Sequence, residues 1–298
     1  MILSSITGRL AREFGDKKAI EYLAQVGYDA YDYSAHLYKQ VEGNPLMQDN
    51  YKGYIRELKE TADRVGIVCN QAHAPFPSEK YGDEEFNRTM FQMIVRSMEC
   101  AALLGAKIIV VHPIQNVPEE VGEMEYNIKF YNRLLPYCKK FGIKVALENM
   151  WKRDLKRDYI IKGSCGYAEE FARYLDALDP EWFVSCLDLG HTVLVGEEPQ
   201  DAIRILGKDR LKALHVHDND YRHDTHTLPY MGSIDWDAIL KALAKIDYDG
   251  EFTYEADPFM SGFPTDFKVE AAAFMCKVGR YLTQRLEEYR QDNQASIK

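Results

Sequence analysis

Short apolar segments recur along this chain, and several of them end in a histidine, an aspartate or a glutamate. These terminal polar residues are His73, His112, Glu148, Asp188, His215 and Glu255. The first four are spaced by 39, 36 and 40 residues, and the last two by 40. One strand, its helix and the connections to the next parallel strand take roughly 30 residues or more. The spacing therefore predicts repeated strand–helix units that carry these side chains to one edge of a sheet.

Eight segments predict strands, and amphipathic stretches lie between them. The predicted strands are Ile2–Thr7, Ala30–Ser34, Ile67–His73, Lys107–His112, Ile143–Glu148, Phe183–Asp188, Leu211–His217 and Glu251–Glu255. The helical period is clearest over Glu85–Leu104, where apolar residues recur every three or four positions. Gly66, Gly105 and Gly142 follow helical patterns and are predicted to end them in the left-handed conformation. We also predict a final helix over Asp266–Tyr289.

Eight parallel strands that alternate with helices predict an α/β fold, a single (β/α)8 barrel over residues 1–298. A doubly wound open sheet is the alternative, but it usually has a glycine-rich turn after its first strand, and this sequence has none there. Longer loops are predicted at 149–166 and 218–234. In a barrel of this kind, catalytic residues lie at the carboxyl ends of the strands.

A short segment at the end of the seventh strand contains histidines that are candidates for a functional site. They are His215, His217 and His226, and Asp224 lies between the second and the third. Imidazole nitrogen and carboxylate oxygen together are ligands that suit zinc, manganese or cobalt. A single histidine or glutamate at a strand end more often makes an ordinary hydrogen bond than it binds an ion. Six successive strands that each end in such a residue instead predict a metal site.

The composition limits the partners. The net charge of −10 argues against a broad nucleic-acid surface, because such surfaces neutralise phosphates, and it favours a small-molecule ligand. No apolar run approaches the length of a membrane span, and the N-terminus lacks the pattern of a signal peptide. The six scattered cysteines, without a C-x-x-C pair, are typical of reduced thiols. We therefore predict a cytoplasmic protein with no membrane partner.

Several motifs resemble those of the xylose isomerase-like TIM barrels and, more narrowly, of the sugar phosphate isomerase/epimerase group. They are Leu-Glu-Asn at 147–149, Leu-Asp-Leu-Gly-His at 187–191, His-Val-His-Asp-Asn-Asp at 215–220 and Gly-Ser-Ile-Asp-Trp at 232–236. The resemblance runs from the third to the eighth strand. That superfamily also includes ketose 3-epimerases, inosose dehydratases and endonuclease IV. The resemblance implies a metal-dependent TIM barrel that acts on a carbohydrate.

The resemblance also implies a set of ligands. In the ketose 3-epimerases, Glu, Asp, His and Glu from strands five to eight hold one ion, and the matching residues here are Glu148, Asp188, His215 and Glu255. It makes the two glutamates catalytic and His191 a substrate contact. Endonuclease IV holds three zinc ions, and its further ligands match His73, His112, His191, Asp224 and His226. The number of ions stays open, and the divalent ion is Mn, Co, Zn or Mg.

Other residues of the strand ends and loops are candidates for binding the substrate or supporting the ligands. The candidate substrate contacts are His73, Trp151, His191, His217 and Arg222. Lys152 and Arg153 are further candidates for binding an anionic group, and Phe76 and Tyr230 for stacking on a sugar. His217 shares a strand face with His215, and we interpret it as a substrate or supporting group rather than a ligand. Asp218 and Asn219 are candidates for orienting a ligating imidazole.

Together these features predict a sugar or sugar phosphate isomerase or epimerase that moves a proton next to a carbonyl through an enediolate. The ion stabilises the charge of the enediolate oxygen, while Glu148 and Glu255 transfer the proton. Three alternatives stay open: a metal-dependent lyase or dehydratase on a polyol or sugar derivative, an endonuclease IV-like zinc phosphodiesterase, and a sugar-binding protein without activity. A homodimer or homotetramer also stays open.

Overall fold

The structure is a computed structural model that describes residues 1–35 and 43–295. Its strands are β1 Leu3–Ile6, β2 Ala30–Tyr33, β3 Val68–His73, β4 Ile108–Val110, β5 Lys144–Glu148, β6 Trp151–Asp154, β7 Tyr159–Lys162, β8 Phe183–Asp188, β9 Leu211–His215 and β10 Phe252–Tyr254. Its α-helices are α1 Gly8–Phe14, α2 Asp16–Val26, α3 Tyr51–Val65, α4 Glu84–Leu104, α5 Glu123–Phe141, α6 Ala168–Asp176, α7 Leu189–Leu194, α8 Pro199–Arg210, α9 Trp236–Lys245 and α10 Lys268–Ala295. Short 3₁₀ helices lie at Pro45–Met47, Asp257–Gly262 and Thr265–Phe267. Within the described ranges, no helix is both long enough and apolar enough to cross a membrane.

Eight parallel strands form the main sheet, in the order β10-β1-β2-β3-β4-β5-β8-β9. A bridge between Val216 and Tyr254 joins the two ends of this sheet, and Glu255 N donates to Val216 O across the seam at 3.2 Å. The sheet is nearly closed, and the predicted (β/α)8 barrel is confirmed. The single domain over residues 1–298 stays a prediction. Residues 36–42 and 296–298 of this range lie outside the described residues.

Two apolar layers hold the barrel together. Side chains alternate between the faces of a strand, so neighbouring residues of β4 enter different layers. Ile109 belongs to the large cluster between strands and helices, whereas Ile108 and Val110 belong to a small cluster inside the barrel. The members of the inner cluster are Ile108, Val110, Ala146, Val184, Cys186 and Ala213. This filled interior leaves the carboxyl ends of the strands as the place where polar side chains converge.

The predicted ends of three helices are confirmed. Gly66, Gly105 and Gly142 follow α3, α4 and α5 with φ angles of 76°, 97° and 67°. Helix α4 begins one residue before its predicted start, because the Asp83 carboxylate accepts a hydrogen bond from Phe86 N and caps it. The strands that follow these glycines are thereby brought back to the barrel within a few residues.

Two predicted strands end two residues earlier than the sequence indicates. Strand β9 ends at His215 rather than His217, because its neighbour β8 ends at Asp188, where α7 begins. Strand β4 ends at Val110, so His112 lies two residues beyond it. The extra polar residues therefore belong to the loops of the barrel mouth.

Two other elements differ from the prediction. The predicted loop 149–166 contains β6 and β7, which pair antiparallel as a hairpin beside the barrel mouth. Helix α10 is longer than the predicted Asp266–Tyr289, because its polar end is rich in Glu, Arg and Gln, which favour helix without burial.

Candidate metal centre

The barrel strands bring five ionisable side chains to one rim. His73, Glu148, Asp188 and His215 are the last residues of β3, β5, β8 and β9, and Glu255 directly follows β10. Because these strands are parallel, their carboxyl ends lie on the same side of the barrel. His73, Glu148, Asp188 and His215 are buried, and the Glu255 side chain is 15% exposed. The rim thus holds charged groups away from bulk water.

Glu148, Asp188, His215 and Glu255 form what we call the central group. One ligating atom from each residue lies within 4.8 Å of the corresponding atoms of the other three. His215 Nδ1 lies 3.4 Å from Glu148 Oε1 and 3.1 Å from Glu255 Oε2. Three carboxylates and one imidazole are a suitable ligand set for a divalent cation of the first transition row.

Unsatisfied polar atoms support this fit. In the described chain, Glu148 Oε2, Glu255 Oε2 and both ring nitrogens of His215 are buried and make no hydrogen bond of suitable geometry, although His215 Nδ1 lies only 3.1 Å from Glu255 Oε2. A buried polar atom without a partner costs free energy, so such atoms are few in folded proteins. An ion at the central group would use these lone pairs, and the residues present therefore fit a divalent cation.

The electrostatics of the central group favour positive charge. Burial acts to raise the pKa of Glu148 and Glu255, but the neighbouring His215 outweighs it and holds the pKa of both carboxyls below the ordinary value. Burial acts to lower the pKa of His215, but Cys186 and the two carboxylates raise it well above the ordinary value. The field that holds a proton on this imidazole also attracts a metal cation.

His73 and His112 extend the central group toward β3 and β4. Their Nε2 atoms lie 2.8 Å apart, and His112 Nε2 lies 3.1 Å from Glu148 Oε2. Ligating atoms of His73, His112 and Glu148 lie within 4.8 Å of one another, as do those of His73, His215 and Glu255. Burial and the neighbouring His112 hold the pKa of His73 well below the ordinary value, which leaves the imidazole neutral and able to ligate.

His191, His217, Asp224 and His226 form a second cluster, which we call the outer group. Their ligating atoms also lie within 4.8 Å of one another. His191 Nε2 lies 3.4 Å from Asp224 Oδ2, and His226 Nε2 lies 3.2 Å from Asp224 Oδ1. Trp151 on β6 donates its indole N–H to Asp224 Oδ2 at 3.0 Å. The hairpin that the sequence did not predict thus fixes this carboxylate.

Backbone carbonyls orient two imidazoles of the outer group. His191 Nδ1 donates to Asn149 O at 2.9 Å, and His226 Nδ1 donates to Glu255 O at 2.8 Å. A histidine that donates one N–H to a carbonyl presents its other nitrogen to an ion, as metal-ligating histidines usually do. Burial acts to lower the pKa of His226, but Asp224 and Glu255 raise it to about 10. The outer group therefore also attracts positive charge.

His217 joins the two groups. Its Nε2 lies 2.9 Å from Asp188 Oδ1 and 3.0 Å from Oδ2, and its ring stacks on that of His226 with centroids 3.8 Å apart. A Cβ at Gly190 would lie 2.0 Å from His217 Cε1, so only glycine fits there without moving the ring. His217 is thus placed against a central-group carboxylate, consistent with a supporting role.

Sequence reasoning did not assign a role to Asp32 or Asn149. Asp32 on β2 is fully buried, Gln71 Nε2 donates to its Oδ2 at 2.7 Å, and His215 Nε2 lies 3.9 Å from that oxygen. Burial raises the pKa of Asp32 to about 7. Asn149 donates to Asp188 O at 2.9 Å and accepts from Asp188 N at 2.7 Å. A carboxylate within the apolar Ala-Tyr-Asp-Tyr strand was the available signal for Asp32.

The predicted cationic contacts make other interactions in the structure. Arg222 is exposed, and its backbone amide donates to Asp220 Oδ1 at 3.0 Å. Arg153 lies on β6, where its Nε pairs with Asp158 Oδ1 at 2.8 Å, and Lys152 is the preceding residue of that strand. The structure therefore does not bring these cations to the central group.

Asp218 organises the loop that carries the outer group. It accepts hydrogen bonds from Tyr230 N at 3.0 Å, Ile234 N at 3.2 Å and Trp236 Nε1 at 2.8 Å. Asn219 Nδ2 donates to Gly190 O at 3.0 Å. In the described part of the chain, these hydrogen bonds hold the backbone of the loop rather than orient an imidazole, contrary to the expectation from the sequence.

Two unlike cavities open beside the central group. The smaller, about 210 Å³, is lined by Glu255 and His226 together with Arg9, Arg12 and Asp257. The larger, about 580 Å³, is lined by His112 and by apolar side chains that include Phe76, Tyr81 and Met150. A ligand at the central group would meet charged side chains on one side and apolar side chains on the other.

Comparisons of sequence identify the family to which the chain belongs. The family model for xylose isomerase-like TIM barrels matches residues 20–273. An uncharacterized protein of Sinorhizobium fredii is 26% identical over 238 residues, which cover 75% of this chain and 71% of that protein. An inosose dehydratase of Bacillus cereus is 31% identical over 127 residues, which cover 36% of this chain and 41% of that enzyme.

Comparisons of structure identify sugar epimerases among the neighbours. A D-tagatose 3-epimerase-like protein has a TM-score of 0.75 at 21% identity, covering 98% of this chain and 99% of its own. The D-psicose 3-epimerase of Clostridium cellulolyticum H10, solved with D-tagatose, has a TM-score of 0.71 at 19% identity and covers 95% of this chain and 99% of its own. At these identities the likeness shows the fold.

Proposed function

The chain belongs to the xylose isomerase-like TIM barrel family, and on that premise we propose that it is a divalent-metal-dependent isomerase or epimerase of a sugar or sugar phosphate. One observation carries this proposal: four strands place the ligating atoms of the central group within 4.8 Å of one another. The similarity in fold to a D-psicose 3-epimerase supports a carbohydrate substrate. That the protein acts in the cytoplasm and that it forms a homodimer or homotetramer remain predictions.

In the proposed reaction, Glu148 removes a proton from the carbon next to the carbonyl and Glu255 returns one from the other side. Both approach His215 Nδ1, and the lowered pKa of each carboxyl keeps it ionised near neutral pH, as a general base requires. Asp188 and His215 complete the ligands, and His191 hydrogen-bonds a substrate oxygen. A divalent ion held by the central group would supply Lewis-acid polarisation of the carbonyl and would offset the charge on the enediolate oxygen.

The test combines metal analysis with proton exchange. The purified protein is expected to bind at least one equivalent of Mn, Co, Zn or Mg, and to incorporate solvent deuterium next to the carbonyl of one ketose or ketose phosphate in a screened set. Chelation by EDTA is expected to stop the exchange, and adding back the ion to restore it, because the central group alone cannot polarise the carbonyl.

The matched variants are Glu255→Gln and Glu181→Gln. Glu255→Gln removes a proposed proton carrier and is expected to lower turnover by about 10²–10⁴-fold. Glu181 is exposed before β8, at the opposite end of the barrel, and its substitution is expected to leave turnover unchanged. Near-normal turnover in Glu255→Gln would remove this glutamate from the mechanism.

A metal-dependent dehydratase is the second candidate, and the similarity to an inosose dehydratase favours it. Dehydration begins with the same proton removal and differs in that a hydroxyl group then leaves. A product lighter than the substrate by one water would establish this reaction, whereas a product of unchanged mass establishes isomerisation.

A zinc phosphodiesterase is a third candidate, because the outer group and the His73–His112 pair provide ligating atoms for more than one ion. Metal bound near three equivalents, together with nicking of DNA at abasic sites, would favour that activity over the proposed one. The net charge of −10 weighs against a nucleic-acid substrate.

A further inference from the structure

The larger cavity beside the central group has the size and lining of a ligand site. Its volume is about 580 Å³, and its apolar lining includes Phe76, Pro77, Tyr81, Pro113 and Met150. Phe76 and Tyr81 are 40% and 46% exposed. Pockets for small molecules are typically about 300–1,000 Å³ and lined mainly by apolar and aromatic side chains. This cavity therefore suits an apolar group better than it suits sugar hydroxyls.

The cavity adjoins the candidate metal ligands. His112 lines it, and His112 Nε2 lies 3.1 Å from Glu148 Oε2 of the central group. The Phe76 ring stacks on the His112 ring, with centroids 4.6 Å apart and 24° between the planes. Met150 follows Glu148 by two residues and also lines the cavity. A substrate held at the central group would extend directly into this space.

The charged side chains of the cavity wall are engaged with other residues. Glu79 Oε1 pairs with Arg133 at 2.6 Å, and its Oε2 accepts from Tyr126 O–H at 3.1 Å. Lys80 Nζ lies over the Phe86 ring, 4.3 Å from its centroid. Neither charge is positioned as a dedicated anchor for a phosphate. The guanidinium groups near the central group, from Arg9 and Arg12, line the smaller cavity instead.

We propose that the substrate is a glycoside that carries a ketone on its sugar ring and an aromatic aglycone, whose ring lies in the larger cavity against Phe76 and Tyr81. The sugar part of this inference rests on the proposed function, because it places the carbonyl at the central group. An aromatic ring gains free energy from apolar burial and from offset or edge contacts with other rings. The Tyr81 ring packs edge-on against the Tyr126 ring, with centroids 5.8 Å apart. This contact orients the Tyr81 ring at the cavity wall.

The experiment measures binding by calorimetry to protein loaded with zinc or manganese. The ligands are methyl β-D-glucopyranoside and 4-nitrophenyl β-D-glucopyranoside, with the corresponding galactosides as a second pair; they lack the ketone of the substrate and therefore report binding alone. Because each pair shares its sugar, the difference in affinity reports the aglycone. We expect the aryl glycoside of at least one pair to bind about tenfold more tightly or better. Equal affinities within both pairs would overturn the inference.

Two tyrosine variants locate the binding site of the ring. Tyr81→Ala is expected to abolish the preference for the aryl glycoside, and Tyr81→Gln, which keeps a long side chain, to do the same. Tyr281→Ala is the matched control, because Tyr281 is 54% exposed on α10 and is not among the residues that line the cavity. All three are compared at unchanged thermal unfolding midpoints. An equal loss of the preference in Tyr81→Ala and Tyr281→Ala would contradict the placement.

Binding of a sugar phosphate tests the alternative that the substrate carries an anionic group rather than an aromatic aglycone. Glucose 6-phosphate binding more tightly than either aryl glycoside, and weakened by Arg9→Gln, would replace the aromatic aglycone by an anionic group in the smaller cavity. Aryl preference that depends on Tyr81, without deuterium exchange into any sugar, would uphold this inference while the proposed isomerase falls. Exchange into free ketoses without any aryl preference would do the reverse.

Discussion

The central and outer groups offer similar ligands but are built differently. Three members of the central group end regular strands, and the fourth, Glu255, directly follows β10. The outer group depends on loops: Asp224 and His226 lie in the segment between β9 and α9, and His226 has a φ of 42°. Strand pairing fixes the first group, whereas side-chain hydrogen bonds such as that from Trp151 fix the second. The central group is therefore the more rigid platform, and the outer group the more adjustable one.

Glu148→Gln tests the central group with the largest expected effect. Glu148 belongs to the central group and also to the cluster with His73 and His112, so its loss weakens two sets of ligands at once. Turnover is expected to fall by about 10⁴-fold, and bound metal, measured by plasma mass spectrometry, to fall with it. Full metal content with normal turnover would show that the central group is not the reaction centre.

Asp32→Asn tests how the barrel supports the central group from behind His215. The folded pKa of Asp32, about 7, lies above its ordinary 3.8, so the folded chain binds this proton more tightly than the unfolded chain. Protonation of Asp32 therefore stabilises the folded state. This stabilisation is fully present below pH 3.8 and is lost as the pH rises through 7. Asparagine removes the titration while it can still accept from Gln71.

Urea unfolding of metal-free protein between pH 4 and 8 measures this difference. The wild type is expected to lose up to about 4 kcal/mol relative to Asp32→Asn over this range. Parallel pH profiles for the two proteins would mean that Asp32 is already ionised in the fold.

Asp224→Asn tests whether the outer group binds an ion of its own. The asparagine keeps the shape but loses the charge between His191 and His226, and we expect about 10–100-fold weaker binding of an ion there. The metal count per chain then falls by one while central-group metal is retained. Asp220→Asn is the control, because Asp220 pairs with the exposed His223 on the same loop. If Asp224→Asn binds as many metal ions per chain as the wild type, then of the two groups only the central group binds an ion.

Trp151→Phe is expected to have the smallest effect. It keeps a ring but removes the N–H that holds Asp224 Oδ2, a hydrogen bond to a charged group worth about 1.5–3 kcal/mol. Ion binding at the outer group should weaken by about tenfold, with little change at the central group. Trp182→Phe is the matched control, because Trp182 Nε1 has no hydrogen-bond partner among the described residues. Equal effects of both substitutions would deny Trp151 this positioning role.

The difference between the groups also explains what the sequence could predict. An apolar run identifies a strand, and the residue that ends it in a parallel barrel lies at the rim, so the positions of Glu148, Asp188, His215 and Glu255 follow from local pattern. The place of His226 depends on how Asp218 folds the loop, through contacts with residues up to 18 positions away. No local period encodes such contacts.

The hairpin formed by β6 and β7 was not predicted from the sequence, for a related reason. Its first strand reads Trp-Lys-Arg-Asp, with three charged residues and no apolar alternation. Pairing with the Tyr159–Lys162 strand, rather than burial, defines it as a strand. Asp32 was missed because a single carboxylate in a short strand lacks the repeated spacing that identified the others.

The bridge between Val216 and Tyr254 has a consequence for biosynthesis. The chain emerges from the ribosome from its N-terminus, so Glu148, Asp188 and His215 are exposed to the cell before the strand that precedes Glu255 can dock beside β1 and β9. A nascent barrel therefore offers three of the four central-group residues, and an ion bound there would gain its fourth ligand only when the last strand docks. Metal capture at full strength would then coincide with the final step of folding and would stabilise the finished barrel over its unfinished forms.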